Sequence, residues 1–311
     1  MPLAFQTMLG KLVALAAVGA LVSPAAGWES RAPLPTPRAE VAGTQWRGDI
    51  AVVGGFAGTS GSQVVEVYDP DTNTWRRLPD LPIAVHHPMA AAAGGKLYVA
   101  GGHLGEGRGP TRAAFAFDGA RWRALRPMPS ARGAGAAAVA AGKLYVVGGV
   151  GPRGLAKSAL VLDLKSGRWT SILGPRPREH LAAASVGGRV YVLAGRLGGI
   201  DSNLATFEVY SPKTRRWSRL PPVPDPRGGT GMAYAAGRLV SVGGEEPEGS
   251  IASVYAYDLE RRTWRRLPSM KTPRHGLAVV GIKGRVYAIG GAPLPGLGSH
   301  TANEVLDVST P

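Results

Sequence analysis

The sequence predicts an all-β protein assembled from six copies of one four-stranded unit. Trp recurs at steps of 47 or 48 residues, at positions 28, 75, 122, 169, 217 and 264. Pairs of small residues keep this step, at 54–55, 101–102, 148–149, 194–195, 243–244 and 290–291. Tyr stands three residues before four of these pairs, at Tyr98, Tyr145, Tyr191 and Tyr287. Three markers that share one period indicate a repeat architecture.

Each unit divides into four short strands, as the third unit shows. Small residues at 135–141, a β-branched run at 143–148, an apolar run at 159–163 and a Trp-bearing run at 168–172 are separated by turn residues. The turn before the Trp run starts with Asp in four units, at Asp69, Asp118, Asp163 and Asp258. An Asp side chain there caps turn amides. We expect the Trp to pack between neighbouring sheets.

Together these markers resemble the Kelch repeat. The resemblance rests on the small-residue pair, the Tyr before it, the Tyr-Asp or Phe-Asp of the third strand and the Trp, and it extends from Trp28 to the C-terminus. Departures are Ala194 in the fourth pair, and Ala51 and Val240 in place of Tyr. The resemblance implies a six-bladed Kelch-type β-propeller, with one blade per repeat around a central channel.

The two ends of the chain are expected to close the ring. After Gly290-Gly291 one further strand fits before the chain ends, whereas an unpaired strand surrounds Trp28. Residues 27–32 should therefore complete the C-terminal blade begun by residues 276–308. This closure would leave no open sheet edge.

Residues 1–25 are predicted to be a signal peptide and residues 26–311 the propeller. Lys11 precedes an apolar run of 11 residues at 12–22, and the small residues Ser23 and Ala25 fit cleavage after Ala25. The run is shorter than the ~20 residues that span a bilayer. We expect a periplasmic or secreted protein with no membrane span after cleavage, and an uncleaved N-terminal anchor is the alternative.

Composition limits the chemistry that the chain can perform. It has 311 residues, no Cys, and 36 Lys and Arg against 21 Asp and Glu, for a net charge of +15. Without Cys there is no disulfide, Cys-based zinc site or cysteine nucleophile. The Tyr–Cys crosslink of copper radical oxidases, which share the repeat, is excluded as well. The positive charge favours anionic partners, but export argues against nucleic acid.

One face of the propeller should carry the longer loops. Strand direction alternates, so the loops between second and third strands share a face with the segments that connect successive blades. We call this the long-loop face, and its loops lie at 56–63, 103–112, 150–158, 196–203, 245–253 and 292–303. Binding sites are concentrated on such loops.

Arg recurs in five of the connecting segments, with His86 or His87 in its place in the second. With His180, the candidate ligand-binding residues are Arg38, His86, Arg132, Arg178, His180, Arg227 and Arg274. Guanidinium groups around the mouth would bind carboxylate, sulfate or phosphate. The alternative is a structural brace that bonds to neighbouring backbone.

The six His all fall on the long-loop face, at His86, His87, His103, His180, His275 and His300. We assign no metal ligand and no cofactor, because no local metal motif occurs and blade starts are expected more than about 10 Å apart across a ring. The candidate catalytic residues are Glu245 and His275, since a carboxylate beside His275, Arg227 or Arg274 can transfer protons. The alternative is a solvated acidic loop.

Two functions follow from these observations. The first is an exported, monomeric, non-catalytic propeller that binds an acidic ligand, either an anionic glycan or an acidic protein or peptide. The second is a carbohydrate-modifying enzyme of the sialic-acid mutarotase type, which is similar to this chain in its repeat and export signal. The first is favoured because no complete catalytic set is present.

Overall fold

A computed structural model describes residues 27–105, 108–296 and 298–309, so the predicted signal peptide lies outside the described residues. Six antiparallel sheets of four main strands each confirm the six-bladed propeller. The described residues include no helix that is long and apolar enough to cross a membrane.

The strands of the first three blades follow the predicted order from the channel outward. Blade 1 comprises Ala42–Trp46, Asp49–Val53, Val65–Asp69 and Thr74–Arg77. Blade 2 comprises Met89–Ala93, Lys96–Ala100, Ala114–Phe117 and Trp122–Ala124. Blade 3 comprises Gly133–Ala140, Lys143–Gly151, Ser158–Asp163 and Arg168–Leu173, with the short strand Gly154–Leu155 added.

The remaining blades repeat this arrangement. Blade 4 comprises Ala182–Val186, Arg189–Leu193, Phe207–Ser211 and Arg216–Leu220. Blade 5 comprises Gly231–Ala235, Arg238–Val242, Val254–Asp258 and Thr263–Leu267. Blade 6 comprises Ala278–Ile282, Arg285–Ile289, Asn303–Asp307 and Glu29–Ser30. Small hairpins in the long loops pair Phe56–Ala57 with Ser60–Gly61, His103–Leu104 with Gly109–Pro110, and Glu245–Glu246 with Gly249–Ser250.

The N-terminal strand closes the ring as the sequence predicts. Glu29 pairs with Val305 and Ser30 with Glu304 in an antiparallel ladder at the outer edge of blade 6. The neighbouring Trp28 is buried, and its indole N–H donates to the carbonyl of Pro268 at 2.9 Å. Residues from the two ends of the chain therefore share one sheet.

Each of the other repeat Trp residues ties its blade to the preceding blade in the same way. The indole N–H donates to a backbone carbonyl 43 or 44 residues earlier, at 2.8–2.9 Å. The pairs are Trp75 with Ala32, Trp122 with Pro79, Trp169 with Arg126, Trp217 with Leu173 and Trp264 with Pro221. The period of the sequence thus reflects one contact made once per blade.

The apolar core lies in layers between adjacent blades. The layer between blades 3 and 4, for example, includes Tyr145, Val147, Val190 and Tyr210, all buried. Burial on both faces explains why the second strands are almost continuously β-branched and apolar.

The small-residue pairs let connecting segments cross closely over the second strands. Gly55 has φ +96°, and a Cβ there would lie 2.5 Å from the carbonyl oxygen of Ala39. Ala194, the one Ala in these pairs, adopts φ 57°. The pairs therefore serve the repeat and do not form a phosphate-binding loop.

Candidate functional site

The long-loop face brings the connecting segments onto the residues that follow the small-residue pairs. Antiparallel bridges join His86 to His103, Glu179 to Arg196, Gly228 to Glu245 and His275 to Ala292. Connecting segments and second-to-third loops therefore share one face, as the alternation of strand direction predicts.

Six equivalent residues form a ring that narrows the channel at this face. Each has a left-handed φ between 50° and 64°, and they are Glu40, His87, Ala134, His180, Gly229 and Gly276. Around the ring, backbone N–H groups donate to the carbonyl of the preceding member, such as His87 to Glu40 at 2.9 Å and Gly276 to Gly229 at 2.8 Å. The N–H of Val41 donates to Gly276 at 3.2 Å and closes the circle. A left-handed residue other than Gly costs about 1–2 kcal/mol, so the fold maintains local strain here.

Three side chains of this ring meet at the channel axis. The Nε2 atoms of His87 and His180 lie 2.9 Å apart. The Oε2 atom of Glu40 lies 3.1 Å from Nε2 of His87 and 3.9 Å from Nε2 of His180. All three side chains are largely buried, so their polar atoms depend on one another for partners.

A second group adjoins the first through the other oxygen of Glu40. Oε1 of Glu40 lies 3.6 Å from Nε2 of His275, which lies 3.6 Å from Oε2 of Glu245. Arg196 donates to Oε1 of Glu245 at 2.6 Å and to Oε1 of Glu179 at 3.1 Å. The result is a connected set of carboxylates, imidazoles and one guanidinium drawn from blades 1, 2, 4, 5 and 6.

The imidazoles from blade 2 are held neutral. Burial, reinforced by repulsion from neighbouring His103 and His180, lowers the pKa of His86 to about 4. Burial likewise lowers the pKa of His87 well below its ordinary value and lowers that of His103. For Glu179, burial acts to raise the pKa, but hydrogen bonds and charge from His180 and Arg196 outweigh it and hold the pKa below its ordinary value. Blade 2 therefore supplies neutral imidazole nitrogens to the site, and Glu179 supplies an ionised carboxylate.

The expected distance between His residues was wrong. The sequence predicts blade starts more than about 10 Å apart, but five of the six His gather at the mouth. The ring of His86 stacks on that of His103 at 5.3 Å, and Nδ1 of His86 lies 2.6 Å from Nδ1 of His87. His300 stands apart from this set and accepts a hydrogen bond from the N–H of Ala302. The left-handed ring causes the convergence, because it turns His87 and His180 toward the axis.

The five predicted arginines lie inside the blades, each with 2% exposure or less. Every guanidinium donates to the carbonyl of the first residue of its own small-residue pair, 16 residues later. Three also form buried ion pairs, Arg38 with Glu66, Arg178 with Glu208 and Arg274 with Glu304. Arg132 and Arg227 instead donate to the hydroxyls of Ser158 and Ser253. This geometry favours the brace, and ligand contact by these arginines stays a prediction.

In blade 2 the residue in place of Arg is Val85. Its backbone bridges Ser62, and its register matches Arg38 and Arg132 one blade away on either side. The prediction of His86 or His87 at this position is wrong by one or two residues. His86 and His87 belong instead to the two positions after the Arg, where side chains face the mouth.

The candidate catalytic pair is assembled, with different partners from those expected. Glu245 is buried to 2% exposure, and its carboxylate accepts from Arg196 and, at 3.0 Å, from the N–H of Gly296. His275 lies near it, whereas the guanidinium groups of Arg227 and Arg274 donate to backbone carbonyls within their own blades. The catalytic role of Glu245 and His275 stays a prediction.

Sequence reasoning missed Glu40 as a site residue and did not pair Arg196 with Glu245. Glu40 stands two residues after Arg38. Aligning the connecting segments on their Arg would have placed it level with His180. The contact of Arg196 with Glu245 spans 49 residues and two blades, and no local pattern signals it.

These features define a propeller whose channel mouth is lined by contacting Glu, His and Arg side chains. Comparison with known proteins gives its family. Residues 86–291 match the Kelch-repeats domain of the KLHDC2/KLHL20/DRC7 type, and residues 37–82 match the Kelch motif. The chain belongs to the Kelch-repeat family. Propellers of this family commonly bind proteins.

A curated relative is similar over one stretch. An F-box/kelch-repeat protein of Arabidopsis thaliana is 43% identical over 51 residues, which is 16% of this chain and 13% of that protein. Because the match spans so little of the relative, it supports the repeat and carries no activity with it.

Proposed function

We propose that the chain is an exported Kelch propeller that binds an acidic ligand on its long-loop face. The observation that supports this best is a set of exposed cationic side chains on the loops of blades 2 and 3 and the segment that follows, namely Arg108, Arg112, Arg153, Lys157 and Arg176. None of them forms an ion pair with another described residue. Export is proposed from the apolar run at 12–22 alone.

The charge on this face is asymmetric. Blade 5 presents the exposed acids Glu246 and Glu248, whereas Arg153 and Lys157 are exposed on the long loop of blade 3 and Arg176 is exposed on the segment that follows its outer strand. The N–H of Gly174 donates to the carbonyl of Lys157, which places the start of that segment beside the loop. Complementary charge steers an acidic partner toward blades 2 and 3 and away from blade 5. Exposed guanidinium groups can bind carboxylates in a bidentate manner.

The kind of ligand is proposed from the family and the surface together. An acidic peptide segment of a partner protein is the first choice, because Kelch propellers commonly bind proteins. An anionic glycan offers the same carboxylate chemistry and is the other source of such a ligand.

A thermal-shift measurement at fixed salt tests the proposal. A ligand that binds only the folded state raises Tm by mass action. We expect a shift with a poly-glutamate peptide or with a uronic-acid oligosaccharide, lost in the triple variant Arg153→Gln, Lys157→Gln, Arg176→Gln.

A second triple variant is the matched control. Arg216, Arg219 and Arg266 are exposed on outer strands of blades 4 and 5, so their change to Gln removes the same charge elsewhere. Equal loss in both triples would show diffuse attraction to the net charge and would refute a site on blades 2 and 3.

The mutarotase-type activity remains the second candidate, and one observation favours it. Glu245 lies within hydrogen-bond or ion-pair distance of both Arg196 and His275, as proton transfer requires. Exchange between anomers of an acidic sugar, followed by NMR, would detect the activity. Glu245→Gln should abolish it and leave peptide binding at blade 3 intact, and retained exchange would remove Glu245 from the role.

A further inference from the structure

Glu40, His87 and His180 form a donor set of a kind that binds transition metal ions. They occupy the same position in blades 1, 2 and 4, two residues after Arg38, Val85 and Arg178 respectively. Their shared left-handed backbone directs one carboxylate and two imidazoles to the channel axis. Two His and one Glu are the protein ligands of several zinc sites.

The spacing of the donor atoms fits a single ion. Ligand atoms bound about 2.0–2.1 Å from one ion lie about 2.8–3.0 Å from each other in octahedral geometry and about 3.3–3.4 Å in tetrahedral geometry. The two His nitrogens are 2.9 Å apart, and the Glu40 oxygen is 3.1 Å from one and 3.9 Å from the other. The donor atoms of the three residues all lie within 4.8 Å of one another. Small rotations of Glu40 and His180 would equalise the three distances.

Outer partners are placed to orient both imidazoles. Nδ1 of His87 lies 2.6 Å from Nδ1 of His86. Nδ1 of His180 makes no hydrogen bond, but a carboxylate oxygen of Glu179 lies 3.2 Å from it, within reach of a small rotation of the ring. A metal-bound His commonly donates its second N–H to such a partner, which leaves Nε2 free for the ion. Both rings present Nε2 to the axis here.

Charge supplies an independent argument. The carboxylates of Glu179 and Glu245 contact the guanidinium of Arg196 directly. The carboxylate of Glu40 is joined to this group through imidazoles, so three carboxylates share the one guanidinium in this set. Each carboxylate side chain is 11% exposed or less. Buried charge is costly unless compensated. A divalent cation at the axis would compensate carboxylates that share one guanidinium.

We propose that Glu40, His87 and His180 bind one divalent transition metal ion, of which zinc is the probe of choice. Nitrogen donors select this class over Ca²⁺ and Mg²⁺, which prefer oxygen. Arg196, whose guanidinium lies 3.1 Å from Nε2 of His180, withdraws from that nitrogen and keeps its contacts with Glu179 and Glu245. A cavity of about 70 Å³ beside the three residues leaves room for a water as fourth ligand.

Calorimetric titration of the chelator-treated, purified protein with ZnCl₂ tests the proposal. We expect one equivalent of zinc per chain. Glu40→Gln, His87→Asn and His180→Asn should each weaken zinc binding at least about tenfold. Asn is chosen because it tolerates the left-handed backbone of His87 and His180. His300→Asn, on the same face and outside the cluster, should bind zinc as the unaltered protein does.

Cobalt provides a second measurement that does not depend on the variants. Co²⁺ bound by two imidazoles and a carboxylate should give visible d–d absorption, and this absorption should disappear when zinc replaces the cobalt. Absence of zinc binding by the unaltered protein, or unchanged affinity in a folded Glu40→Gln variant, would overturn the proposal. Binding lost only in His300→Asn would do so too. Acidic-peptide binding at blade 3 is a separate measurement, so the two proposals fail independently.

Discussion

Glu40 and His87 occupy the same position in neighbouring blades, both with left-handed backbone, and their side chains meet at 3.1 Å on the channel axis. The N–H of His87 also donates to the carbonyl of Glu40. One local conformation, repeated with different side chains, thus joins the blades and assembles a polar site. Where the ring needs no side chain, it carries Ala134, Gly229 and Gly276.

The brace arginines should differ in their contribution to stability. Arg178→Met leaves Glu208 buried without its partner and should cost about 3–5 kcal/mol in the free energy of unfolding. Arg227→Met should cost less, because its acidic partner Asp225 is 51% exposed and can be hydrated. Urea denaturation of both variants measures the difference.

A double variant separates the pair from the packing. Arg178→Met with Glu208→Gln removes the unpaired charge and should recover part of the loss. If Arg178→Met and Arg227→Met cost the same, the buried ion pair does not account for the effect.

The closing strand should be as important to stability as any strand inside the chain. Trp28→Ala removes a buried indole and its hydrogen bond to Pro268, and should cost about 3–5 kcal/mol. Trp169→Ala removes the equivalent bond to Arg126 at a half-buried position and should cost less. Equilibrium denaturation compares them, and a negligible effect of Trp28→Ala would contradict ring closure.

Much of this fold could be predicted from the sequence, because the contacts that repeat are also the contacts that set the period. Trp169, the Gly148-Gly149 pair and Asp163 each mark a fixed place in a blade. The site was less predictable. It depends on how connecting segments from different blades turn at the axis. The hydrogen bond between Arg196 and Glu245, for example, joins blade 4 to blade 5. The distance between His87 and His180 follows from the ring as a whole and from no local pattern.

The Asp turns should make stability depend on acid pH. Hydrogen bonds from the N–H groups of Arg121 and Ala120, and then from the side chain of Arg123, hold the pKa of Asp118 well below its ordinary value. A folded-state pKa below the unfolded one stabilises the fold above the unfolded value of about 3.9, and this stabilisation is lost as pH falls further. Asp118→Asn should therefore lower Tm at neutral pH, and the difference should shrink steadily below about pH 4 as pH falls toward the folded-state pKa.

Asp201 provides the control for this measurement. It is an exposed carboxylate of a long loop without an ion-pair partner among the described residues. Asp201→Asn should change Tm little at any pH. A Tm difference for Asp118→Asn that persists unchanged into acid would show that charge at this turn does not stabilise the fold.

Two ring glycines offer the sharpest test of how backbone and site are coupled. A Cβ on Gly276 would lie 2.6 Å from Cδ of Glu40, whereas a Cβ on Gly229 would meet Cβ of His275 at 3.1 Å. Both positions have left-handed φ, so Ala at either should destabilise the fold by about 1 kcal/mol or more. Only Gly276→Ala displaces the carboxylate of Glu40. We expect the rise in Tm on adding zinc to be lost in Gly276→Ala and kept in Gly229→Ala, and equal rises in both would show that Glu40 is not a ligand.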